Sequence, residues 1–288
     1  MIVLMASLRK LLKAPTPADL AAIDPRSTPG LPKAGRKAED PKAWSAAELA
    51  RLGTDLAGLQ ERLYASTRSG EDRRRLLIVL QAMDAGGKDG LVRHVGGVFN
   101  PLGLEVTSFK APTTEELAHH FLWRIRQRLP EPGHVGIFNR SHYEDVLIVR
   151  VHDLVPAEEW RKRYDEINAF ERELVDDGVI LVKIMLHISP GEQLARLRER
   201  LEDPTKYWKY NPADVDERAR WDDYRAAYDE ALTRCTEAAP WYVVPADRKW
   251  YRNWAVASLL VEVLSAADPA YPPPDFDVAA ERKRLLKG

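Results

Sequence analysis

The residues of this chain best suited to chemistry are Met83-Asp84-Ala85-Gly86-Gly87-Lys88-Asp89-Gly90, which follow the apolar run Leu76-Leu77-Ile78-Val79-Leu80. A buried strand that breaks into a glycine-rich turn and then a helix lets successive backbone N–H groups converge on one anion. The helix N-terminus adds roughly half a positive charge to the same spot. Lys88 would meet phosphates held by the backbone of Gly86 and Gly87. The spacing departs from the Walker A pattern G-x-x-x-x-G-K-[ST], because Ala82 stands at the first glycine and Asp89 at the Ser/Thr that usually holds Mg2+. Asp84 and Asp89 instead flank the lysine with carboxylates, the hard oxygen ligands that Mg2+ takes. Taken alone, the loop also fits a glycine-rich turn that binds nothing.

A second polar group comes after another apolar run, at Phe138-Asn139-Arg140-Ser141, with Glu144 and Asp145 a few residues on. Phosphoryl transfer asks for alignment and for positive charge around the equatorial oxygens more than for covalent catalysis. Lys88 would hold a donor phosphate with a metal on Asp84, while Arg140 and Lys110 would hold an acceptor phosphate across a cleft. Asn139 can bind a metal through its carbonyl oxygen but brings no negative charge. The same residues also fit a strand-ending turn whose polar groups cap the adjoining segment.

The elements that must position these groups are legible as alternating patterns. Short apolar runs at 76–81, Leu104–Phe109, Val135–Phe138, Val179–Leu186 and Trp241–Val244 read as strands, and helical patterns separate them. Near-continuous apolar strands alternating with helices predict an α/β fold with a parallel sheet covered on both faces, and in such sheets ligands sit at the carboxyl ends of the strands. Leu49, Leu52, Leu56, Leu59 and Leu63 predict an amphipathic helix over Ser45–Ser69. Further helices are expected over Leu91–Phe99 and Thr113–Arg128. The chain divides into three segments: an N-terminal arm at 1–44, lying on a neighbour or on the domain surface, a catalytic domain at 45–267, and a Pro-rich tail with a basic helix at 268–288. An insert at about 191–222 would form a lid.

Within the insert, Arg196 and Arg200 are spaced i, i+4 on one helical face, which suits an oligophosphate, although Glu199, Glu202 and Asp203 beside them also suit a solvated, salt-bridged helix. Lys206-Tyr207-Trp208-Lys209-Tyr210 interleaves aromatics with cations; without a wider basic face it is expected to pack the insert against the core rather than to stack bases. Phe121 and Trp123 are likewise expected in the core. The chain carries 43 Lys and Arg against 44 Asp and Glu, so no whole-protein field favours nucleic acid or a membrane surface. The histidines lack metal-ligand spacing, and Ser141-His142 lacks a nucleophile elbow. The single cysteine, Cys235, cannot form an internal disulfide. With a leading apolar patch at Met1–Ala6 too short for export and no run of about 20 apolar residues, a cytoplasmic protein is expected.

Taken together, Met83–Gly90, Ser108-Phe109-Lys110-Ala111-Pro112-Thr113, Phe138–Val146 and Asp203-Pro204-Thr205-Lys206-Tyr207-Trp208-Lys209 resemble the polyphosphate kinase 2 family over roughly Ala46 to Ala266. The resemblance implies a P-loop kinase-like, three-layer α/β/α fold with a helical lid. It implies reversible, Mg2+-assisted transfer from inorganic polyphosphate to nucleotides, with Mn2+ as a substitute metal. Carried over to these positions, Asp84, Lys88 and Arg140 are catalytic and Asp84 and Asn139 hold the metal. Ala85, Gly86, Gly87, Asp89, Gly90, Lys110, Asn139, Glu144, Arg196, Arg200, Lys206 and Lys209 bind polyphosphate or nucleotide. Asn139 and Glu144 match the branch called class III, which makes AMP and ADP, and hence ATP, the expected acceptors and products, with guanine nucleotides as a further option. A homo-oligomer is implied as well. The departures from the family lie at Ala82, which would tighten the loop, and at Tyr207 and Tyr210. The rival readings are an ATP-dependent nucleoside monophosphate kinase on the same fold and a non-catalytic phosphate sensor.

Overall fold

The computed structural model describes residues 7–70 and 72–287. The apolar patch at residues 1–6 lies outside the described residues. Five strands form one parallel sheet: β1 (Arg75–Ala82), β2 (Leu104–Ser108), β3 (Val135–Asn139), β4 (Val179–His187) and β5 (Trp241–Pro245), in the order β2-β3-β1-β4-β5. The chain leaves β1 toward one edge, returns through β3, and crosses to the other side with β4. The reversal puts the carboxyl ends of β1 and β3 next to each other at the crevice where open α/β sheets bind ligands.

Every residue of β1 is buried, because both faces of the strand are covered. Ile78 and Leu80 meet Leu91, Val95, Val256 and Leu260 on one face. On the other, Lys183 of β4, in register with Val79, reaches Glu171 of the Ala157–Asp176 helix. Successive side chains of a strand point to opposite faces, so this alternation defines two helical layers, one on each side of the sheet.

The helix expected from Ser45 begins earlier, at Pro41, and runs to Ser66. Asp40 caps it by accepting from the N–H groups of Lys42 and Ala43, and Pro41 occupies the first turn, where a missing N–H costs nothing. The Leu91–Phe99 helix starts instead at Lys88 and ends at His94, with a tight turn at Gly96–Val98. Thr113–Arg128 is not one helix. It forms two single turns, Thr114–Leu117 and Trp123–Arg126, on either side of His119-His120-Phe121. The Thr113–Glu116 capping box opens a helix, but the run of imidazole and aromatic residues after it is a weak helix former, and tertiary contacts win: His120 turns out to Glu166 at 2.9 Å.

The stretch before Asp40 lies on the chain's own domain. Leu8, Leu12, Leu20 and Leu31 are buried in the main core. Ala14 N donates to Trp241 O and Val243 N to Leu12 O, which covers the open edge of β5. The Val278–Leu285 helix has no buried residue. Cys235 is buried and unpaired.

Candidate active site

β1 ends at Ala82 and the chain turns back under itself before the Lys88–His94 helix. Gly86 N donates to Met83 O at 2.9 Å, closing the turn. A side chain at Gly86 would drive a Cβ to 2.7 Å from Met83 O and into the methyl group of Ala82, so the alanine in place of the usual glycine closes the loop down on Gly86. Gly87 has φ +97°, a left-handed conformation that a residue without Cβ adopts freely. Lys88 Nζ leans back to donate to Ala82 O at 3.0 Å, and burial, then the neighbouring Arg140, pull its pKa below the usual lysine range.

The carbonyls of the loop are held from behind by side chains distant in sequence. Gln193 Nε2 donates to Asp84 O at 2.9 Å, Arg196 Nη1 to Ala85 O at 2.9 Å, and Arg252 Nη1 to Gly87 O at 3.0 Å. Gln193 and Arg196 come from the Pro190–Glu202 helix and Arg252 from the Lys249–Ala267 helix. Arg252 is 2% exposed, and burial together with Arg196 brings its pKa down to about 10.

From β3, Arg140 takes a left-handed conformation at φ +64° while its N–H still donates to Leu80 O. The turn aims its guanidinium across the strand ends, 3.1 Å from Asp84 Oδ1 and 3.8 Å from Glu144 Oε2. Burial opposes its charge, but Glu144 and Asp84 outweigh burial and raise its pKa. Asn139 Nδ2 donates to Asp89 Oδ1 at 2.7 Å, which ties β3 to the start of the loop's helix and leaves the amide oxygen free for a ligand. Behind Arg140, Ser141 Oγ accepts from Gln81 and from Tyr143 N. Tyr143 OH in turn donates to Glu171 at 2.7 Å, within a fully buried cluster where Lys183 Nζ reaches Glu171 at 2.5 Å and Cys235 O at 2.8 Å. The cluster anchors the turn that carries Arg140.

Two cavities meet at Arg140 and Glu144. The larger, of about 650 Å3, runs between Lys110-Ala111-Pro112 and Phe121 and has Asp145 and Arg163 in its wall. The smaller, of about 250 Å3, is bounded by Asp84, Asp214, Glu217 and Tyr224 beneath the insert. Burial raises the Asp145 pKa to about 6, with Arg163 at 2.9 Å opposing the shift. Burial, and then Asp84, raise that of Asp214.

The structure thus brings together Asp84, Ala85, Gly86, Gly87, Lys88, Asp89, Gly90, Asn139, Arg140 and Glu144, with Lys110 at the rim of the larger cavity. Arg196 is a buried strut of the loop, 6% exposed, rather than a residue of a free lid face. Arg200 is engaged with Asp214 at 2.9 Å and Lys209 O at 3.0 Å. Lys206 pairs with Glu199 and Asp203, and Lys209 lies over the Trp208 ring, so neither reaches the loop. The aromatics of this segment do not pack against the core as expected: Trp208 is 78% exposed, because its ring is engaged by its own neighbours Thr205 and Lys209. Phe121 packs against the core as expected and also lines the larger cavity, with the Arg163 guanidinium 5.1 Å from its ring centre.

Arg252, Gln193 and Asp214 escaped the sequence reading. Gln193 had a signal, three residues before Arg196 on the same helical face. Arg252 had none, since it stands far along the chain in a helix that carries other polar residues, Lys249, Asn253 and Glu262 among them. Among the described residues, no group of three or more His, Cys, Asp or Glu is preassembled around a metal position. Asp84 nevertheless offers a partly exposed carboxylate beside Glu144, an oxygen donor set that fits Mg2+ when phosphate oxygens complete its shell.

The sequence pattern of the family Polyphosphate kinase 2 (PPK2) matches residues 40–272. The chain belongs to the polyphosphate kinase 2 family. It is similar to the AMP/ADP-polyphosphate phosphotransferase of Meiothermus ruber, 51% identical over 228 residues that cover 79% of this chain and 84% of that one. It is also similar to the ADP-polyphosphate phosphotransferase of Rhodopseudomonas palustris, at 44% over 245 residues, 81% of this chain and 82% of that one. The crystal structure of polyphosphate kinase 2 from Arthrobacter aurescens TC1 superposes with a TM-score of 0.92 at 47% identity, covering 99% and 98% of the two chains. A P-loop kinase-like fold and phosphoryl transfer between polyphosphate and a nucleotide go with membership of this polyphosphate kinase 2 family.

Proposed function

We propose that this polyphosphate kinase 2 passes phosphoryl groups reversibly between inorganic polyphosphate and AMP or ADP, with Mg2+, or Mn2+ in its place, bound at Asp84. The observation that carries the reading is the position of Arg140, whose guanidinium borders both cavities. An acceptor nucleotide lies in the larger cavity with its base toward Phe121 and Pro112, and its terminal phosphate meets Arg140 and Lys110. The donor chain lies along the amides of Gly87 and Lys88, since the Gly86 N–H is taken by Met83 O, with the Lys88 side chain released from Ala82 O. Arg140 then spans the attacking oxygen and the transferring group, where positive charge stabilises the loose transition state most. When bound, the metal would supply positive charge that offsets the negative charge of the phosphate groups. Asn139 would help Asp84 hold that metal through its amide oxygen, and Glu144 keeps Arg140 oriented. The names of the relatives from Meiothermus ruber and Rhodopseudomonas palustris support AMP and ADP as acceptors. The reading includes work as a homo-oligomer in the cytoplasm. Incubation of pure protein with AMP, Mg2+ and polyphosphate, with no ATP, is expected to yield ADP and then ATP; absence of both products would overturn it.

A further inference from the structure

Arg252 has features that loop support alone does not explain. Its side chain is 2% exposed, and its acceptors are neutral: Gly87 O at 3.0 Å and Asn253 Oδ1 at 2.7 and 3.0 Å. Arg196, its guanidinium neighbour across Gly87, has Glu192 at 2.8 Å. No carboxylate among the described residues stands within ion-pair distance of Arg252. A buried guanidinium without a counter-anion is costly, and that cost is offset when an anion comes within reach of its field.

The geometry also sets directions. In a trans peptide the C=O and N–H of one unit point opposite ways, so Arg252 on Gly87 O turns the Lys88 N–H away from itself, and Gln193 on Asp84 O does the same for Ala85 N–H. Gly87 and Gly90 together make room for this guanidinium: a Cβ on Gly87 would overlap Arg252 Nη1, and one on Gly90 would stand 3.3 Å from Nη2. Phosphate recognition alone gives no reason for a glycine at position 90.

We propose that Arg252 is the positioning residue of the donor site, fixing the amides of the P-loop and supplying the unneutralised positive charge behind it that holds the polyphosphate chain. The inference rests on the assignment of the donor to the P-loop and deepens it, because it predicts an effect on the donor and not on the acceptor.

The test measures Arg252→Gln and Arg252→Lys in the full chain, with tripolyphosphate as donor and ADP as acceptor, KM for each being taken at saturating partner. For Arg252→Gln the tripolyphosphate KM is expected to rise about tenfold or more while the ADP KM stays within about twofold, with a shallower salt dependence of tripolyphosphate binding by calorimetry. Arg252→Lys keeps the charge but not the fork, so its donor KM should fall between those of the parent and Arg252→Gln. Should Arg252→Gln fail to fold, the donor-to-acceptor split of Arg252→Lys decides. Equal rises in both KM values, or a donor KM unchanged in the folded variant, would overturn the role of Arg252 alone. Failure of the parent protein to bind tripolyphosphate at all would overturn the donor assignment as well.

Discussion

Arg140 Nη2 sits 3.1 Å from Asp84 Oδ1, joining the carboxyl ends of β3 and β1 across the crevice of the sheet. The pair is partly exposed, so its own contribution to stability is small; its value lies in placing a cation beside the carboxylate proposed to hold the metal.

Asp84→Asn keeps the shape and the contact with Arg140 but removes the charge that a metal needs. Turnover with polyphosphate and ADP is expected to fall about a hundredfold to a thousandfold, with ADP affinity measured by calorimetry changing little. Retained turnover would remove Asp84 from the reaction.

Gly86→Ala pushes a Cβ to 2.7 Å from Met83 O, whereas at Gly97 an added Cβ meets nothing within 4 Å. The first substitution is expected to distort the P-loop and abolish transfer. Gly97→Ala, away from the site, should leave activity intact and raise stability by a few tenths to about 1 kcal/mol, read by urea titration.

Lys183 and Glu171 are both fully buried and 2.5 Å apart. Lys183→Met leaves an uncompensated carboxylate inside the protein and should lower stability by about 3–5 kcal/mol. Adding Glu171→Leu should recover part of the loss, because the buried charge is gone although Tyr143 OH and Cys235 O lose their partners. If the double variant is less stable than the single, ion pairing is not what the cluster contributes.

The Asp145 carboxyl titrates at about 6 in the folded protein against an ordinary 3.8, chiefly through burial. The folded state therefore holds this proton more tightly than the unfolded one. Its contribution to stability is fully present below pH 4 and is lost as pH rises through 6. Asp145→Asn cannot ionise, so relative to the parent it should gain about 3 kcal/mol at pH 7.5 and little at pH 4, measured by chemical denaturation at each pH. A difference independent of pH would show that the carboxyl is not held in its neutral form by burial.

The parallel sheet and its site loop were legible because both depend on local signals: unbroken apolar runs, a glycine pair before a lysine, and polar residues at strand ends. The broken helix over Thr113–Arg128 was not, since its periodicity is helical and only the contacts of His120 and the adjoining cavity make two turns of it. Trp208 was misread for the converse reason. An aromatic residue among cations carries no mark of whether its ring meets the core or its own neighbours.

Local sequence was enough to specify the fold class, the family, and the loop and strand-end residues Asp84, Gly86, Gly87, Lys88, Asn139 and Arg140, because each of these is encoded by neighbours within a few positions. The side chains that hold the loop emerge only in three dimensions: Arg252 reaches Gly87 across 165 positions and Gln193 reaches Asp84 across 109. Hydrogen-bond partners so far apart are chosen by how the helices dock on the sheet, a property of packing that no local spacing records.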